Sequence, residues 1–295
     1  MVDMDISYRI LKIAAHAARL LPMPIGYFLA ERAGDILYMV SGKRRRIVAG
    51  NLRRILGVEL DDKALRRKVR GVCGNVAKNY FDLTKLSRLT VEGLDRSTIV
   101  EGWHYLSESI ESHRGTIIAT AHMGNFETVA VYLTLHGVNT AVFVEVFNSS
   151  PFLRNVGELR QTSGCRMLPV GMRAIRESIQ ILRHGGTMTM VCDRDLQFNG
   201  VKVKFFGEET TLPVGAVSLA LRTGADIIPL RCVRISNSRS AISFEPPLKL
   251  VDAGDRSQSI RVNVERFGVV LERYIRQYPE QWTVMEPIWR NHAGG

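Results

Sequence analysis

His122 and Glu127 lie five residues apart in the stretch Thr116–Ile117–Ile118–Ala119–Thr120–Ala121–His122–Met123–Gly124–Asn125–Phe126–Glu127. If the chain turns between them, the carboxylate can reach back to the imidazole. A carboxylate on one ring nitrogen fixes the tautomer and raises the basicity of the other nitrogen, which is what a general base needs. The elements around the pair can be read directly. Gly115–Ala121 is a β-branched apolar run bounded by turn signals and predicts a buried strand. Asn125 is a plausible N-cap for a helix over Phe126–His136. His122 then sits at the carboxyl edge of a strand, where open α/β sheets place their ligands. A histidine at a strand end also serves as a structural residue, and spacing alone does not separate the two.

A second group of charges follows another apolar run. The predicted strand Thr187–Asp193 enters Asp193–Arg194–Asp195. Charges at the end of a buried strand must pair or do work. An internal Asp–Arg pair closing the sheet is the structural alternative. The basic alternating stretch from Gly200 to Glu208 ends in a small turn. Thr211–Leu212–Pro213–Val214–Gly215 then opens a helix whose amino end can attract an anion.

Further strands are expected at Thr140–Val146, Cys165–Val170, Ala225–Arg234 and Ala241–Pro246, the last two able to form a hairpin. Helices are expected at Pro151–Thr162, Met172–Arg183, Pro213–Thr223 and Ser257–Tyr278. This alternation predicts an α/β fold with a mainly parallel central sheet flanked by helices. Residues 1–90 read instead as helical and cationic, and 91–295 as the α/β catalytic core. Ser7–Leu21 has Ile6, Ile10, Ile13, Ala14, Ala17 and Leu21 on one stripe and Arg9, Lys12, His16 and Arg19 on another. That pattern suits a helix lying on anionic lipid, and equally a surface helix packed on a core. A second apolar helix, Ile25–Val40, leads into Lys43–Arg44–Arg45–Arg46.

The chain of 295 residues carries a formal charge of +11, which points to a polyanionic partner such as an anionic membrane, a phosphorylated ligand or nucleic acid. The basic residues accompany apolar helices without an interleaved aromatic platform, which disfavours nucleic acid. Cys73, Cys165, Cys192 and Cys232 show neither zinc spacing nor a disulfide framework, as expected in a reducing compartment. No segment reaches the roughly 18 uninterrupted apolar residues of a membrane span. A soluble or peripheral protein is expected.

His–Met–Gly–Asn–Phe–Glu resembles the His-x4-Asp/Glu motif of the glycerolipid and lysophospholipid acyltransferase superfamily. It is most similar to the branch of the lipid A lauroyl/myristoyl and phosphatidylinositol mannoside acyltransferases. Asp193-x-Asp195, Gly200, Phe205–Phe206–Gly207, Thr211-x-Pro213-x-Gly215, Ile228–Pro229 and Pro279–Glu280–Gln281–Trp282 follow that branch in order, with Asn51–Leu52, Asn148, Arg160 and Gly164. Glu127 replaces the more common Asp, and Thr283–Trp289 lacks the branch's aromatic and basic ending.

The resemblance implies an O-acyltransferase in which His122 and Glu127 are catalytic. It also implies that Asn125, Glu145, Arg160, Asp193, Arg194, Asp195 and Glu208 contact substrate. The implied donor is acyl-CoA or acyl carrier protein, and the acceptor a hydroxyl of a lipid such as a phosphatidylinositol mannoside or lipid A precursor. Backbone amides around Met123–Gly124–Asn125, or Arg160, would hold the oxyanion. No metal and no cofactor beyond the donor are expected. The implied location is peripheral, on the cytoplasmic face of the inner membrane. Ser163–Gly164–Cys165 is not a nucleophile elbow, so direct transfer is favoured over an acyl-enzyme. A thioester hydrolase with the same pair, or a non-catalytic basic protein that binds lipid or nucleic acid, is the alternative.

Overall fold

The computed structural model describes residues 2–57, 61–144, 151–161, 164–195 and 199–289. Four helices come first: α1 (Val2–Leu20), α2 (Met23–Val40), α3 (Gly42–Leu56) and α4 (Asp62–Lys85). Pro22 and Pro24 separate α1 from α2, since proline is tolerated only at a helix start. Asp61 caps α4 by accepting from the Ala64 amide at 2.7 Å. α2 lies very close to α4 because Gly26 and Gly34 have no side chain. A Cβ at Gly34 would stand 2.6 Å from the Gly74 Cα, and one at Gly26 would enter the Phe81 ring.

The α/β part runs α5 (Val91–Ser97), β1 (Thr98–Glu101), α6 (Trp103–Glu111), β2 (Thr116–Thr120), α7 (Phe126–Leu135), β3 (Thr140–Val144), α8 (Pro151–Gln161) and β4 (Arg166–Pro169). It continues with α9 (Met172–Arg183), β5 (Thr187–Val191), β6 (Val201–Phe205), β7 (Glu208–Leu212), α10 (Gly215–Thr223), β8 (Asp226–Ser236), β9 (Arg239–Phe244) and α11 (Arg256–Gln277). Seven strands form one sheet in the order β1-β9-β8-β2-β5-β3-β4, parallel except for β8 against β9. The expected α/β class, with its mainly parallel sheet and amino-terminal helices, is the class observed.

Two strand regions were not expected. β1 is a four-residue edge strand with only Thr98, Ile99 and Val100 as a β signal. β6 and β7 pair as a separate antiparallel hairpin across Phe206 and Gly207. Both turn residues have positive φ, at 53° and 82°, as a two-residue hairpin turn of the type I′ class requires. The small turn expected at the end of the Gly200–Glu208 stretch is therefore observed, and only the pairing of the strands on either side of it is new. Phe206 is held there by its amide donating to Glu272 at 2.5 Å and by its ring lying 4.9 Å from the Arg276 guanidinium.

β2 is the central strand and all five of its residues are buried. Ile117 and Ala119 pack into the larger core with α3, α4, α10 and α11. Ile118 points to the other face, against Leu106, Val129 and Leu133. Burial on both faces is the rule for central parallel strands and explains the unbroken apolar run.

α1 packs on the body through Leu11, Ala15 and Ala18, whereas Ile10, Ile13, Ala14 and Ala17 of the expected apolar stripe are exposed and its last member, Leu21, packs against Tyr27, Ala30 and Phe81. Ile6 lies outside the described side chains. α2 likewise buries Gly26, Tyr27, Ala30 and Gly34 and exposes Ile25, Phe28, Leu29, Ile36, Met39 and Val40. Among the described residues no helix is long and apolar enough to cross a membrane. All four cysteines are buried free thiols.

Candidate active site

β2 and β5 are parallel neighbours, with Thr120 opposite Val191. Each chain then runs two residues past that pair, to His122 and to Asp193. Two residues 71 apart in sequence thereby reach the same point at the carboxyl edge of the sheet. Asp193 Oδ1 stands 2.7 Å from His122 Nδ1. Asp193 Oδ2 accepts from the His122 backbone N–H at 3.0 Å and from the Trp282 indole N–H at 2.6 Å.

Asp193 is fully buried, which pushes its carboxyl up. The charge and ring hydrogen bond of His122, with the indole and backbone N–H donors, outweigh burial and hold it below its ordinary value. An ionised Asp193 accepts a hydrogen bond from Nδ1–H, and that tautomer leaves Nε2 with its lone pair. No described residue hydrogen-bonds Nε2, and the imidazole keeps partial exposure.

The loop after β2 is shaped by its glycine. Gly124 has φ of 57°, and a Cβ there would stand 2.4 Å from the Cys232 carbonyl oxygen. A segment beyond α11 closes over this loop. The Gly124 amide donates to Gln281 O at 3.0 Å, and the amide and hydroxyl of Thr283 both donate to His122 O, at 2.9 and 3.0 Å. Gln281 is itself fixed through its carboxamide to both the N–H and C=O of Arg234.

Glu127 does not reach the imidazole. It sits in the first turn of α7 and accepts from Arg160, in the last turn of α8, with Nε at 3.1 and 3.0 Å from its two oxygens and a further short contact from the Arg160 terminal nitrogen. A guanidinium fork engages both carboxylate oxygens, which one imidazole N–H cannot match. The expectation that Glu127 orients His122 is therefore corrected. The carboxylate on the ring is Asp193.

The expected oxyanion amides are also engaged. The Met123 amide donates to Ala121 O at 2.7 Å, the Gly124 amide to Gln281 O, and the Asn125 amide to the Cys232 sulfur. Asn125 occupies the N-cap position of α7, but its side chain does not cap the helix. Its Oδ1 is buried without a hydrogen-bond partner among the described residues.

The remaining expected site residues have structural partners. Arg194 pairs with Glu286 at 3.1 Å. Asp195 accepts from the Gly200 amide at 2.8 Å, and Glu208 pairs with Arg54 at 2.6 Å. Glu145 lies outside the described residues.

Two residues at the site were not singled out for chemistry. Trp282 was visible only as part of a resemblance. Tyr80 of α4, an exposed side chain that interacts electrostatically with Arg160 and Glu127, gave no signal. No cysteine is poised as a nucleophile. Burial first, and the Asp193 charge second, push the Cys192 thiol up, and burial pushes Cys232 up to about 12. Among the described residues no group of His, Cys, Asp and Glu is arranged to hold a metal ion.

Comparison with known proteins points to one chemistry. Residues 6–291 match the family described as bacterial lipid A biosynthesis acyltransferase. Similar proteins include the phosphatidylinositol mannoside acyltransferase of Mycobacterium tuberculosis, 28% identical over 247 residues, covering 81% of this chain and 75% of that protein. The enzyme of the same name from Mycolicibacterium smegmatis is 25% identical over 245 residues, covering 81% and 77%.

Proposed function

The chain belongs to the bacterial lipid A biosynthesis acyltransferase family, and from that premise we propose a mechanism in which His122 is the general base of acyl transfer to a lipid hydroxyl. His122 Nε2 takes the hydroxyl proton as that oxygen attacks the carbonyl carbon of an acyl thioester. The C–S bond then breaks, and the leaving thiolate takes the proton from the imidazolium. Asp193 holds the reactive tautomer and stabilises the imidazolium while it exists. Such assistance is typically worth about 10²- to 10⁴-fold.

The hydrogen-bonded His122–Asp193 pair, with Nε2 open at the sheet's carboxyl edge, is the observation that carries this reading. The Glu127–Arg160 pair fixes the first turn of α7, just after the histidine loop, against the end of α8. The donor is acyl-CoA or acyl carrier protein. The acceptor is a glycolipid hydroxyl, on a phosphatidylinositol mannoside or a lipid A-like precursor.

The outward apolar faces of α1 and α2, next to the exposed cations Lys43, Arg44 and Arg46 of α3, support a peripheral position on the cytoplasmic face of the inner membrane. A nucleic-acid protein would have no use for Phe28, Leu29 and Ile36 in water. The test is acyl transfer from a radiolabelled acyl thioester to extracted glycolipid, comparing the parent with His122→Ala. The parent should acylate the lipid, and the variant should lose about 10²-fold or more while still binding vesicles. Equal rates would remove His122 as the base, and free fatty acid as the main product would indicate a hydrolase.

A further inference from the structure

The geometry points to Trp282 as a positioning residue for the His122–Asp193 pair, its indole N–H fixing the orientation in which the carboxylate meets the imidazole. This rests on the reading of His122 as the base and deepens it. Oδ2 of Asp193 accepts both the His122 backbone N–H at 3.0 Å and the Trp282 N–H at 2.6 Å, while Oδ1 alone meets the ring nitrogen at 2.7 Å. Turning the carboxylate would break two hydrogen bonds inside a dry site, where an unmade bond is costly. The imidazole is therefore presented with one oxygen in one direction.

Trp282 can do this because it is itself fixed. It is buried, with its ring edge-on to Trp289 at 6.4 Å, and its neighbours are bonded to the loop it serves. Gln281 O accepts from Gly124, and Thr283 donates twice to the His122 carbonyl. The Gln281 carboxamide anchors the segment to Arg234 of β8 at 2.7 and 2.8 Å. The segment after α11 thus clamps the histidine loop from outside and delivers a donor to the carboxylate beneath it. Among the described residues, the titratable groups that act on Asp193 are His122 and the neighbouring Cys192 thiol, whose burial favours its neutral form.

Trp282→Phe keeps the apolar bulk and removes the donor. The expected result is a folded protein with kcat lower by about ten- to a hundredfold, the effect of a hydrogen bond to a charged group, and KM nearly unchanged. The acid limb of the pH–rate profile should move to higher pH, because Asp193 has lost a group that favours its charged form. Without any substrate, the downfield Nδ1–H resonance of His122 in proton NMR should shift or broaden. That readout needs no turnover. It can therefore uphold the positioning role even if the parent protein transfers no acyl chain and the acyltransferase mechanism fails.

Unchanged kcat, acid limb and resonance in a folded Trp282→Phe protein overturn the assignment. Should that variant not fold, β-(3-benzothienyl)alanine at position 282, introduced by ligating the carboxyl-terminal segment, replaces the N–H by sulfur at equal volume. The same three readouts then decide.

Discussion

Asp193 and Asp82 are both buried, both accept hydrogen bonds on both oxygens and both face a basic side chain, yet their carboxyls shift in opposite directions. Asp82, on α4, accepts from the Tyr27 hydroxyl of α2 at 2.7 Å and from Arg234 of β8 at 2.6 Å, and Arg234 also donates to Asn79 at 3.0 Å. Burial pushes the Asp82 carboxyl up and outweighs the pull of Arg234 and Tyr27. At Asp193 burial acts the same way, but His122 and the N–H donors prevail. The Asp82 network is closed to solvent and ties together α2, α4 and the sheet. The Asp193 network is open at one atom, Nε2. The first fastens the fold, and the second holds a proton acceptor where a substrate can reach it.

The largest effect should come from breaking the closed network. Asp82→Ala strands Arg234 in the interior and should cost about 3–5 kcal/mol of stability in urea unfolding, because removing one partner leaves an uncompensated buried charge. Activity per folded molecule should be nearly unchanged. The next effect is at the open network. Asp193→Asn keeps the shape but turns a lone pair into a donor facing two N–H groups, and kcat should fall by about 10²-fold, or ~2.7 kcal/mol. If Asp82→Ala lowers kcat per folded molecule as much as Asp193→Asn does, the division between fastener and working group is wrong.

The two aspartates should also be distinguishable by pH alone. Asp193 has a lowered folded value, so its stabilisation is present above the unfolded carboxylate value of about 3.9 and is lost as pH falls through the lower folded value. Asp82 has a raised folded value. Its contribution is present below about 3.9 and is lost as pH rises through the folded value. Melting curves across that range should therefore show Asp82→Asn removing a loss of stability on the alkaline side. Asp193→Asn should remove one on the acid side. Parallel curves for both variants would show that the opposite shifts do not operate.

The sheet was largely legible and the pairing across it was not. β2, β3, β4, β5, β8, β9 and their helices each carry a continuous local signal of β-branched runs, helical stripes and turn residues. Which carboxylate meets His122 is decided by the register of β2 against β5, a relation between distant segments that no local pattern contains. Proximity in sequence favoured Glu127, five residues away. The fold supplied Asp193 across the ladder and gave Glu127 to Arg160 on α8. Trp282 shows the same limit. Its segment contacts the site only because α11 returns the chain to the loop after β2.

α2 carries the same contrast on its two faces, and its outer face gives the smallest effects. The inner face holds Tyr27 in the Asp82 network, whereas the outer face exposes Ile25, Phe28, Leu29 and Ile36. Phe28→Ser should leave folding and the His122 site intact and weaken vesicle binding by about 1.5–3 kcal/mol if the ring enters the lipid. Arg46→Gln should weaken binding less, by about 1 kcal/mol or roughly fivefold, since one cation near an anionic surface contributes that much. The two substitutions differ in how salt acts on them. Added salt screens the surface potential over a Debye length of about 8 Å near physiological strength, so the Arg46 effect should fade as salt rises while the Phe28 effect persists. Flotation with vesicles of anionic and of neutral lipid, at low and high salt, reads both. Should Phe28→Ser bind anionic vesicles as tightly as the parent at high salt, the outer face of α2 does not enter the lipid, and its exposed side chains need another partner.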